Sequence, residues 1–297
     1  MESPDKSVGR ATAFIVISAL SFGSISVLTV LTTAAGVPLL TIMAWRYLLG
    51  ALLLGATAKS NASRSIPKRR TIQLFLIGGI GQALITYLSL YSLRYIPVGP
   101  LAFLFYIYPA WVAIIAAMRR TERLTWVRVT ALGLALVGVT VMVGAPVGRL
   151  NPIGVFLALG SALLYSIYLP TLEHVQKGIP AMYATFLLIL GAASSFVIAA
   201  GLAGELYLPR DRAVWTNILL LAVVSTVIAF SSLIKGLSVL GPVRTAIIAT
   251  VEPFFTAILG VIVLGAQLNP ATIIGGILIA GAILVIEWSS TRVAAIV

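Results

Sequence analysis

Two ionisable residues lie inside long apolar runs: Arg46 in "LTIMAWRYLLGALLLGA" (40–56) and Glu252 in "ATVEPFF" (249–255). A cation and an acid with apolar flanks can do three things. They can tie helices together, directly or through the carbonyl that Pro253 frees; Arg46 can bind an anionic group such as a carboxylate; or Glu252 can carry a coupled proton. A second set is aromatic. Trp45, Tyr87, Tyr106, Tyr108, Trp111, Tyr165 and Tyr168 fall inside their runs, with Tyr91 one turn beyond Tyr87, whereas Tyr95, Trp126, Tyr207, Trp215 and Trp288 fall near the ends. The latter positions suit a membrane–water interface. The former suit a cavity lining or buried packing, because a phenol facing lipid leaves its hydroxyl unpaired. Tyr87, Tyr91 and Tyr95 share one helical stripe. Ser231 and Ser232, in the matching part of a later run, add hydroxyls to the candidate lining.

The rest of the inventory argues against catalysis. The only aspartates are Asp5 and Asp211, outside the apolar runs, so an intramembrane aspartyl pair is absent. His174 is the only histidine and no cysteine is present. Metal ligation, thiolate chemistry and iron–sulfur clusters therefore find no ligand set, and no cofactor is expected.

Composition requires elements that cross a membrane. Of 297 residues, 60% are hydrophobic and 9% charged, with a mean hydropathy of +1.09; a soluble domain carries about 25% charged residues. Ten runs approach the ~20 apolar residues a spanning helix needs: spans 1 to 10 at 11–34, 38–56, 71–93, 98–118, 126–143, 152–172, 181–204, 214–234, 242–264 and 270–288. Joins such as "RYIPVG", "QKGIP" and "LNP" carry the expected breakers. The first span directly follows "MESPDKSVGR" and is expected to be retained. The net charge of +12 comes from segments between the spans and predicts no nucleic-acid partner. Fifteen Lys and Arg fall on one side, four on the other, and Arg46 lies within span 2. The positive-inside rule then places both termini, and the loop 57–70, in the cytoplasm.

The chain also repeats itself. "FLIGGIGQALITYLSLYSLRYIPVGPLAFLFYIYPAWVAI" (75–114) aligns without a gap on 219–258, an offset of 144, which pairs Pro109 with Pro253 and Ala102 with Ala246. "SAL" at 18–20 repeats at 161–163, an offset of 143. Residues 1–147 and 148–297 thus read as two five-helix repeats. Five crossings is an odd number, so the copies insert with opposite topology. The predicted fold is all-α: ten transmembrane helices as two inverted five-helix repeats around a central cavity. Arg46 lies eight residues past Pro38, roughly 12 Å deep, and Glu252 ten past Pro242, roughly 15 Å. In a hydrocarbon core about 30 Å thick, these depths are close enough for an Arg46–Glu252 pair. The small-residue steps Ala131/Ala135 and Gly276/Ala280 read as helix-packing faces or an oligomeric interface.

"WRYLLGA", "YPAWVAIIAA…ERLTWVRVTALGLALVGV" and "VEPFFTAILGVIVLGAQLNPATIIGGILIAGAILV" resemble the drug/metabolite transporter superfamily, in its EamA-type branch of ten-helix exporters, over nearly the whole chain. Two departures stand out. Gln267 replaces a glutamate frequent in that branch, and Leu187 occupies the place of Arg46 in the second repeat. The resemblance implies a small-molecule exporter of a bacterial inner membrane, similar to the aromatic and neutral amino-acid exporters. Few ionisable groups near the expected cavity disfavour sugar phosphates and nucleotides. The cargo expected is therefore a neutral amino acid, including aromatic ones, or another amphipathic metabolite or drug. A receptor or scaffold is the competing reading, and it would not need inverted halves.

Overall fold

The computed structural model describes residues 4–58, 66–121, 125–144, 150–265 and 269–294. They form a helical bundle in which all ten spans are present. Helices Pro4–Ala34, Leu39–Ala58, Trp126–Val143, Pro152–Gln176, Ala181–Leu202 and Pro270–Ala294 are spans 1, 2, 5, 6, 7 and 10. Spans 8 and 9 run on from one another, separated at Gly241, whose φ of 73° is open to glycine.

Four departures from regular helix shape the interior. Span 3 runs from Lys68 to Ser92 through a π-helical turn at Ile77–Gln82, and span 8 carries another at Val223–Ile228. Span 4 is broken between Val98–Phe105 and Tyr108–Met118, and span 9 between Ala249 and Glu252–Leu264. The continuous helices expected at 98–118 and 242–264 are thus corrected to pairs of half-helices. Proline explains both breaks. A proline ring clashes with the carbonyl four residues back. For Pro109 and Pro253 those residues are Phe105 and Ala249, the last of each first half-helix.

The halves pack as a two-fold arrangement would. Span 2 lies along span 7 and span 5 along span 10; span 1 packs on span 8, as its counterpart span 6 packs on span 3. The family of contacts across the repeats includes two backbone approaches that only glycine permits. A Cβ on Gly78 would overlap the Leu188 carbonyl of span 7, and one on Gly191 would overlap the Phe75 carbonyl. Spans 5 and 10 meet likewise at Gly138 and Gly275. That contact corrects the packing step read at Gly276/Ala280: Gly276 abuts the Phe254 ring and Ala280 is exposed. Ala131 and Ala135 are fully buried in span 5. The repeat boundary at 147/148, most of the loop 57–70, and Gln267 lie outside the described residues.

Side chains distinguish the two ends of the bundle. At the basic end Lys235 lies 5.1 Å over the Phe14 ring, and Arg70 donates to the Lys177 carbonyl. At the other end Trp45 Nε1 donates to the Tyr207 carbonyl at 2.8 Å, and Thr41 donates to the Glu205 carbonyl.

Candidate functional site

A cavity of about 490 Å³ opens inside the bundle, lined by nine of the ten spans. Spans 4 and 9 contribute their breaks to it: Phe105, Tyr106 and Tyr108 on one, Glu252 and Pro253 on the other. These positions are related by the repeat, since Tyr108 and Glu252 each open the second half-helix of their span.

Arg46 lies on the wall, fully buried. Its Nε donates to Thr226 Oγ1 and its Nη2 to the Ser225 carbonyl, each at 2.8 Å. Both acceptors belong to the π-turn of span 8. Thr226 donates in turn to the Leu221 carbonyl, five residues back, at 2.9 Å. Nη1 reaches the Met43 sulfur at 4.0 Å, and the guanidinium carbon lies 4.9 Å from the Tyr47 ring. Of five guanidinium N–H groups, these contacts occupy three. The expected Arg46–Glu252 ion pair is not formed among the described residues. The π-turn offers a carbonyl and a hydroxyl to Arg46 across the repeat interface, so the carbonyl it binds belongs to span 8 and not to the Pro253 break. Glu252 lines the same cavity as Tyr106.

Aromatic rings surround Glu252. Tyr108 and Tyr165 meet edge-to-face at 4.7 Å, and Phe105 lies 5.4 Å from Tyr108 and 5.6 Å from Tyr165. A separate polar group faces the same space from span 3, where Gln82 Nε2 donates to Thr86 Oγ1 at 2.8 Å and Thr86 meets the Tyr47 hydroxyl at 3.2 Å.

Of the residues expected on the lining, Arg46, Glu252, Tyr106, Tyr108 and Tyr165 are there. Six others are placed elsewhere. Trp111 is 41% exposed on the outside of span 4, because the stripe turned inward after the break is Tyr108, Val112 and Ala116. Tyr87 and Tyr91 stack at 5.2 Å on a flank of span 3, with Arg94 over the Tyr91 ring at 4.8 Å. The cavity face of that span is Gln82, Ile85, Thr86 and Ser89. Tyr168 stacks on Tyr165 at 5.7 Å, one turn further toward the basic end, against Gly81. Ser231 and Ser232 are buried in packing beside Phe230, which takes the cavity position in span 8.

Tyr47, Gln82, Thr86 and Thr256 line the cavity and were not singled out from sequence. Gln82 carried a signal, an amide within the apolar run "IGGIGQALI" that aligns, at offset 144, with Thr226.

The EamA-like transporter family matches this chain twice, over residues 10–144 and 152–288. No curated protein matches it. Among solved structures, a crystal structure of another protein superposes with a TM-score of 0.80 at 19% identity, covering 95% of this chain and 98% of its own. That likeness concerns the fold.

Proposed function

Since the chain belongs to the EamA-like transporter family, a family of multi-pass small-molecule transporters, we propose that it exports neutral amino acids with large apolar or aromatic side chains by alternating access. Both termini would lie in the cytoplasm of a bacterial inner membrane. The observation that carries this reading is the content of the cavity. One cation, one carboxyl and an aromatic cluster face a single space, and the two ionisable groups do not satisfy each other. Two guanidinium N–H groups are left for a carboxylate, a pairing in which charge-assisted hydrogen bonds are strong. Glu252 offers an acceptor to an ammonium group. Phe105, Tyr108 and Tyr165 present ring faces and edges to an apolar side chain, each aromatic contact contributing about 0.5–1.5 kcal/mol. A zwitterion with an apolar body matches this set. A multiply charged solute does not, because one arginine cannot compensate its desolvation.

The test is flux into proteoliposomes loaded and challenged with phenylalanine, leucine, glutamate and a sugar phosphate. Phenylalanine and leucine are expected to move, and Tyr108→Ala to lower phenylalanine flux more than leucine flux. Movement of the anionic solutes alone would sink the amino-acid assignment.

A further inference from the structure

Tyr47 adjoins the one cation that lines the cavity. Its ring lies 4.9 Å from the Arg46 guanidinium carbon and stacks on Phe196 of span 7 at 5.3 Å. Its hydroxyl reaches span 3, where it lies 3.2 Å from Thr86 Oγ1 and accepts from Gln82 Nε2 at 3.4 Å. Gln82 Nε2 also donates to Thr86 Oγ1 at 2.8 Å. All four residues line the cavity.

The needs of the scaffold do not account for this group. Gln82 closes the π-turn of span 3 and is the counterpart, at offset 144, of Thr226 in the π-turn of span 8. Arg46 grips Thr226, and the next residue, Tyr47, grips Gln82. Span 7 has Leu187 and Leu188 at the matching place, with no polar side-chain atom to offer. The span 3 turn is already fixed to span 7 by the backbone approaches at Gly78 and Gly191. The hydrogen bonds of Tyr47 are additional to what holds it.

A proton is left over in the group. One amide and two hydroxyls carry four protons able to donate. The two amide protons go to Thr86 and Tyr47, and one hydroxyl proton joins those two side chains, whichever of them donates. The fourth has no acceptor among the described residues. Tyr47 is fully buried, whereas Thr86 keeps 9% exposure on the cavity side.

Resting on the amino-acid reading above, we infer that Thr86 is a specificity-determining residue, whose hydroxyl donates the spare proton to the cargo's carboxylate beside the free N–H groups of Arg46. Tyr47 is a positioning residue. It donates to Thr86 Oγ1, which leaves the Thr86 proton for the cavity, and its ring backs the guanidinium. One phenol thereby sets two donors for one carboxylate, and hydrogen bonds to an ionised acceptor are the strong ones. A solute without a carboxylate gains nothing from either donor.

Initial rates of phenylalanine flux in proteoliposomes test this, with melting temperatures measured in detergent on the same preparations. Thr86→Val and Tyr47→Phe are each expected to raise KM for phenylalanine roughly tenfold, with turnover within about twofold of the unaltered protein and the melting temperature unchanged. Thr86→Ser is expected to restore KM. The double variant is expected to match Thr86→Val, because Tyr47 acts through Thr86. An unchanged KM in Thr86→Val overturns the role of Thr86, and additive losses in the double variant overturn positioning by Tyr47. A protein that moves no amino acid removes the cargo reading alone. The subsite is then read from stabilisation by 3-phenylpropanoate, which keeps the ring and carboxylate without the ammonium group. A rise in melting temperature that Thr86→Val abolishes upholds the subsite; no rise, or one that persists in Thr86→Val, removes it.

Discussion

Arg46 ties the two repeats together and also lines the cavity. Its Nε and one Nη2 hydrogen are spent on the π-turn of span 8, and hydrogen bonds to a charged group contribute about 1.5–3 kcal/mol each. Arg46→Ala is therefore expected to destabilise the folded protein by about 3 kcal/mol or more, read as a lower melting temperature in detergent, and to abolish flux. Arg210→Ala, at an exposed end of the bundle, is expected to change neither. Because Arg46 and Glu252 form no pair, the double change Arg46→Leu with Glu252→Leu should be no more stable than Arg46→Leu alone. A rescue by the second change would show a direct link. Arg46→Lys keeps the charge but loses the planar fork that reaches a hydroxyl and a carbonyl at once, so it is expected to fold better than the alanine variant and transport poorly.

At the scale of the element, the π-turns of spans 3 and 8 are fastened to the opposite repeat by different means. Span 8 is held by Arg46; span 3 is held by bare backbone, with Gly78 against Leu188 and Gly191 against Phe75. A methyl group has no space in the second contact. Gly78→Ala is expected to cost more than about 2 kcal/mol, at the upper part of the range for overpacked cores. Gly133→Ala in span 5, where a Cβ would meet nothing within 4 Å, is expected to be neutral or to stabilise by up to about 1 kcal/mol through helix propensity. Melting curves of the two variants provide the comparison. The proline breaks belong to the same scale. Pro253→Ala restores an N–H and removes the ring that ends the helix at Ala249. The expected outcome is a straighter span 9, a displaced Glu252 and reduced flux at preserved expression.

For the whole molecule, the charge asymmetry makes an orientation prediction that labelling can check. Thr121 lies at the basic end and Leu208 at the sparse end, both exposed. With Thr121→Cys and Leu208→Cys, an impermeant reagent applied to intact cells is expected to modify only the second. Modification of the first alone would invert the orientation.

Sequence alone determined the class, the number of spans and the doubled architecture. These depend on composition, on the length of apolar runs and on the spacing of prolines, which are one-dimensional quantities that a bilayer reads directly. The breaks in spans 4 and 9 were also legible in principle, because Pro109 and Pro253 mark them. Only the tertiary structure decided which side chains share the cavity. Helical azimuth depends on accumulated rotation, and each π-turn or break shifts every later residue around its helix. An aromatic stripe such as Tyr87–Tyr91 therefore lies beside the cavity while Gln82 and Thr86 face it. The partner of Arg46 was hidden for the same reason: Glu252 lines the same cavity, but the turn that offers acceptors to its guanidinium belongs to span 8, across an interface that exists only once the repeats have packed.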